Sequence, residues 1–163
     1  MDVKKLTKLA LLTAVALGIF VLELQIPSPI PIPGVKLGLS NIITLVVLCL
    51  FGWKEALAVL FVRIVLGGVV TGQVGALPYA LAGGLLSFAA MLLCKRFIRE
   101  KQLWVLSVIG GFFHNLGQLS MAMLITQTPG LIAYLPVLLL SGMAAGLFTG
   151  LCAQLVAARL KKE

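Results

Sequence analysis

Apolar runs of about 18 to 22 residues recur along this chain, and a helix of about 20 such residues matches the hydrocarbon thickness of a bilayer. Six can be drawn, over about 6–24, 36–52, 55–72, 75–94, 103–125 and 131–158. Of the 163 residues, 61% are hydrophobic and 11% charged, against about a quarter charged in a soluble domain. That leaves too little polar surface to cover a water-soluble body. The expected fold is a single all-α integral membrane domain, residues 1–163, with six transmembrane helices.

The first two runs are separated by residues 26–41, where Pro27, Pro29, Pro31 and Pro33 recur. Each proline removes an N–H donor and pushes its predecessor toward extended conformations, so this stretch is expected to be extended and to turn at Gly34. Lys36 and Asn41 then stand at the mouth of a new apolar helix, and the segment reads as the lip of a binding site. The amino-terminal Lys4, Lys5 and Lys8 before an apolar run resemble a signal peptide. Glu23, Gln25 and the prolines follow where a small-residue cleavage site would stand, so the run reads as the first transmembrane helix.

The formal charge of +8 could suggest nucleic acid, but the placement of the charges gives a different reason for it. With six spans, Lys4, Lys5, Lys8, Lys54, Lys95, Arg96, Arg99, Lys101, Arg159, Lys161 and Lys162 share one side. Cytoplasmic loops are enriched in Lys and Arg, so both termini are expected to be cytoplasmic, in a multi-pass protein of a bacterial plasma membrane. Cys49, Cys94 and Cys152 fall in inner helix halves with no CxxC spacing, which indicates helix packing and neither a disulfide framework nor a zinc site.

Asp2, Glu55, Glu100 and Glu163 fall on the same inner side, which leaves three charged residues elsewhere: Glu23, Lys36 and Arg63. Arg63 falls near mid-bilayer, where a basic residue costs about 3 kcal/mol by insertion scales. It reads as an anion-binding guanidinium, as the partner of a structural ion pair with Glu23, or as an arginine snorkelling to an interface. His114, Asn115 and Gln118 form a second group, with 114 and 118 one turn apart on one face. They read either as ligand contacts or as an interhelical hydrogen-bond clamp. With Lys36, Asn41 and Glu23 nearer the mouth, these residues outline a polar cup of formal charge +1, suited to a small anionic or amphipathic molecule.

Several chemistries are not supported by the sequence. There is no G-x-x-x-x-G-K-[S/T] phosphate loop, and Asp2 is the only aspartate, so no aspartate-rich magnesium and diphosphate site can be built. No Ser/His/Asp triad is possible in the membrane core, and a lone histidine weighs against a haem held by two histidines of one chain. The expectation is a non-enzyme with no cofactor and no metal site. Two small-residue stripes complete the pattern, Ala10, Ala14 and Gly18 on the first helix and Gly142, Gly146 and Gly150 on the sixth. Such spacing lets helix backbones approach; the sixth reads as internal packing, whereas the first could face another protein.

The Lys36-Leu-Gly-Leu-Ser-Asn41 start of the second helix, followed by Phe51-Gly-Trp-Lys-Glu-Ala56, resembles the Gx transporter superfamily, which includes the S components of energy-coupling factor (ECF) vitamin transporters. Within it, Pro31-Ile-Pro-Gly-Val-Lys-Leu-Gly-Leu-Ser-Asn41 most resembles the heptaprenyl diphosphate synthase component I family. The resemblance implies an S-component-like bundle that binds a micronutrient from outside, with release driven by a coupling protein and two ATPases. Ala10 and Ala14 match the Ala-x-x-x-Ala motif that docks the coupling protein in S components. The family label implies instead a non-catalytic accessory subunit of prenyl diphosphate or menaquinone metabolism, with a prenyl synthase or quinone-pathway partner. The expected function is substrate capture for uptake, with the accessory role, including quinone-linked electron transfer, as the alternative.

Overall fold

The computed structural model describes residues 3–25, 38–98 and 102–160. The proline-bearing stretch with Lys36, and the charged residues Asp2, Arg99, Glu100, Lys101, Lys161, Lys162 and Glu163, lie outside the described residues. Among the described residues the regular structure is helical throughout: α1 (Val3–Gln25), α2 (Asn41–Leu50), α3 (Trp53–Val70), α4 (Leu77–Lys95), α5 (Leu103–Thr126) and α6 (Leu135–Leu160). Short 3-10 turns, Val74–Ala76 and Pro129–Tyr134, lead into α4 and α6.

Four of these helices are long and apolar enough to cross a membrane: α1, α4 with its leading turn, α5, and α6 with its leading turn. The other two differ from the sequence expectation. The helix expected from about residue 36 begins only at Asn41, after a turn in which Gly38 takes a φ of 67° and its carbonyl accepts the Asn41 N–H at 2.9 Å. A left-handed residue cannot continue a right-handed helix, so α2 is left with 10 residues and a length of about 15 Å, half the bilayer core. α3 has 18 residues and carries Lys54, Glu55 and Arg63.

Short as it is, α2 occupies the centre. Every residue from Ile43 to Leu48 is buried, the pattern of a helix that is apolar all round and surrounded by protein. It touches α1, α3 and α6, while α5 packs broadly between α4 and α6. The α5–α6 seam is made close by glycine: a methyl group at Gly146 would stand 2.5 Å from the Ser107 carbonyl oxygen, and one at Gly150 would stand 2.6 Å from Trp104 Cα.

Two polar contacts show which ends of the helices lie together. Lys5 Nζ donates to Glu55 Oε1, joining the start of α1 to the first turn of α3. Lys95 Nζ, at the end of α4, donates to the Leu48 carbonyl oxygen at 2.7 Å, satisfying an acceptor left open in the last turn of α2. The main apolar core packs toward this basic end, around Leu9, Val46, Leu48, Ala56, Leu103 and Leu106. A cation at a helix C-terminus also meets the negative end of its dipole, so Lys95→Met is expected to lower stability by about 1 kcal/mol. Thermal unfolding in detergent checks this, the expected change being a drop of a few degrees.

Candidate functional site

Above the basic-end core, all six helices leave a cavity of about 440 Å3, within the usual range for small-molecule sites. On α5 its lining runs from Ser107 to Ala122, a rise of about 22 Å, so the space is long rather than round. The structure brings Glu23, Asn41, Arg63, His114, Asn115 and Gln118 to its wall. Lys36 lies outside the described residues.

Arg63 is buried in α3, and its guanidinium reaches the start of α2, donating from one terminal nitrogen to Ser40 Oγ and from the other to Asn41 Oδ1 at 2.9 Å. Both partners are neutral. Its Nε–H is buried with no partner among the described residues. A guanidinium carries five N–H donors, so these two contacts leave three unused. The position also runs against the helix dipole. A lysine at the C-terminal end of α2 stabilises that helix, whereas an arginine at its N-terminal end adds a positive charge to an already positive pole. Helix capping therefore gives no reason for a cation here, while an anion would be attracted by the guanidinium and the helix terminus together.

Glu23 does not neutralise this cation directly. It is buried near the end of α1, and its Oε1 accepts the Gly38 N–H, fixing the turn that starts α2. Among the described residues no ion pair joins Glu23 to Arg63, and Arg63 is directed inward to Ser40 and Asn41. The ion-pair and snorkelling alternatives for Arg63 do not describe this geometry.

The α5 group divides into different roles. Asn115 donates its amide to the Leu138 carbonyl oxygen of α6, the interhelical clamp that its residue type allowed. His114 and Gln118 face α4 at Gly83, where a methyl group would stand 2.7 Å from both the His114 carbonyl oxygen and Gln118 Cγ. Glycine is what lets α4 close over these two side chains. The wall also includes residues that the sequence reading left unassigned: Ser40, Thr44, Gln73, Tyr79, Ser87 and Thr149. For Ser40 and Thr44 a signal existed, since Ser40 adjoins Asn41 and Thr44 follows it by three residues on the same helical face. Ala10 and Ala14 do not line this site: both are exposed on α1, with nothing within 4 Å of the open side of Gly18.

These features define a class: a multi-pass helical membrane protein whose helices line a mainly apolar cavity bearing a few polar side chains. The chain belongs to the family described as heptaprenyl diphosphate synthase component I, which matches residues 12–156. No curated protein and no solved structure matches it.

Proposed function

We propose that this chain is a substrate-binding membrane protein that captures a small anionic or amphipathic molecule in the six-helix cavity. In this reading it works as ECF S components do, taking the molecule from outside and relying on a coupling protein and ATPases for release inward. The observation that carries the reading is the buried Arg63, which lines the cavity, keeps an unpartnered Nε–H and makes no ion pair within 4 Å among the described residues. Glu23, Asn41, His114 and Gln118, with Lys36 at the mouth, would complete the contacts, and Asn115 would hold the wall. A cytoplasmic placement of both termini fits the basic end formed by Lys5, Lys54, Lys95 and Arg96, with the short α2 held inside the bundle. The exposed Ala10–Ala14 stripe would be the docking face for the coupling protein.

The family's printed description favours a second reading: a non-catalytic accessory subunit beside a prenyl diphosphate synthase component. A prenyl diphosphate is itself an anionic amphiphile, so the same cavity suits it. Native mass spectrometry of gently purified protein tests what both readings share. A co-purifying anionic species of defined mass is expected, and an empty protein in every preparation would count against both. Affinity capture separates the two: a coupling protein with ATPases supports uptake, and a soluble prenyl synthase subunit supports the accessory role.

A further inference from the structure

We propose that the cavity has a second, uncharged lobe in which Thr44 binds ligand, so that the molecule captured carries a neutral hydrogen-bonding group beyond its anionic one. This rests on the reading of Arg63 as an anion site.

Thr44 lies three residues after Asn41 on α2, about 4.5 Å further along the helix and away from the mouth. It is 2% exposed, lines the cavity, and its Oγ1 has no hydrogen-bond partner among the described residues. That is unusual within this molecule. A threonine in a helix commonly returns its hydroxyl to a carbonyl of the preceding turn. Thr7, Thr13, Thr71, Thr126 and Thr149 do so, onto Val3, Leu9, Gly67, Ala122 and Gly146. Thr44 instead leaves its hydroxyl buried and unpartnered at the cavity wall, and such a group is normally satisfied by a partner.

The surroundings indicate the kind of partner. Beyond the level of Arg63 and His114 the wall is formed by Leu45, Ser87, Met91, Ser107 and Thr149, none of them charged. Two of the hydroxyls are engaged already. Thr149 donates to the Gly146 carbonyl oxygen at 3.2 Å, so the 3.0 Å contact between Ser107 and Thr149 uses the Ser107 proton. The Thr44 hydroxyl is thus available as both donor and acceptor in an uncharged setting, which fits a carbonyl, hydroxyl or amide and disfavours a second charge. A ligand spanning both lobes has an anionic head on Arg63 and a neutral polar group on Thr44.

The test uses matched pairs of monocarboxylates that differ by one distal hydroxyl, phenylpropionate and its para-hydroxy derivative together with straight-chain alkanoates and their terminal alcohols. Binding is read by thermal shift in lipid nanodiscs. In the unmodified protein the hydroxylated member of the best-fitting pair should bind about five- to tenfold tighter. Thr44→Val, which keeps the shape, should bring that pair to parity, and Thr44→Ser should restore the preference. Parity in the unmodified protein, or a preference that survives Thr44→Val, overturns the proposal. Arg63→Gln separates the two readings: it should weaken both members of a pair alike, and equal binding with and without it would remove the anion site itself. Saturable binding of no member would overturn both.

Discussion

Protein carrying Arg63→Met should fold and purify almost as the unmodified chain does, yet lose its bound molecule. The two effects separate because of what Arg63 touches. Its partners Ser40 and Asn41 are neutral, so methionine leaves two orphaned acceptors and no stranded charge. The cost is about 1–2 kcal/mol, partly offset because a buried charge is replaced by an apolar chain of similar length. A guanidinium locked into a dry ion pair would behave differently, since removing one partner of such a pair costs about 3–5 kcal/mol. Binding should respond far more strongly. Truncating a buried charged contact costs about 2–5 kcal/mol, so affinity for a co-purifying anion should fall by about 30-fold to a few thousandfold. Arg63→Lys is expected to fall between the two, because it keeps the charge but loses the planar fork that holds Ser40, Asn41 and a guest at once. Occupancy by native mass spectrometry, measured beside thermal unfolding of the same samples, checks both halves. A variant that unfolds while the bound species is retained would assign Arg63 a structural role.

The largest expected effect on stability is at the α5–α6 seam. A methyl group at Gly142 would stand 2.5 Å from Asn115 Nδ2 and 2.6 Å from the Gly111 carbonyl oxygen. Backbone cannot yield as a flexible side chain can, so α5 and α6 must separate. Asn115 then loses its hold on the Leu138 carbonyl. Gly142→Ala is expected to cost about 2 kcal/mol and Gly142→Leu about 3 kcal/mol or more. Gly18→Leu is the internal control. Gly18 belongs to a stripe with the same four-residue spacing, but nothing lies within 4 Å of its open side, and the cost should stay below about 0.5 kcal/mol. Chemical unfolding in mixed micelles reads all three, and equal losses at positions 18 and 142 would contradict the packing described.

That pair of glycines also marks how far the sequence can be read. Spacing alone makes the two stripes equivalent, and only the packing shows that one is buried against α5 and the other faces outward. Helix identity is legible for the long elements, because runs of 19 to 26 apolar-rich residues in α1, α4, α5 and α6 leave little choice in a low-polarity environment. α2 is less legible. Leu37 and Leu39 continue the apolar pattern, and the break depends on the backbone angle at Gly38, which no hydropathy pattern carries.

The site divides similarly. Arg63 stands out because a charge inside an apolar helix is costly wherever it points. Asn115 and Gln118 look alike in sequence, since an interhelical clamp and a ligand contact require the same side chains, and only the Leu138 carbonyl distinguishes them. Thr44 is legible only in part: its spacing places it on the Asn41 face, but its unpartnered hydroxyl cannot be read from that. A threonine in an apolar run ordinarily bonds its own helix, and the fact that this one does not is a matter of tertiary placement.

The most direct measurement is an experimental density map of protein purified gently from its native membrane, examined beside the Arg63 guanidinium. The expected result is non-protein density in contact with the Arg63 guanidinium and extending along the cavity toward Thr44. A collapsed cavity in which Glu23 has swung over to close on Arg63, with no room between them, would contradict the assignment of this protein as a binding protein.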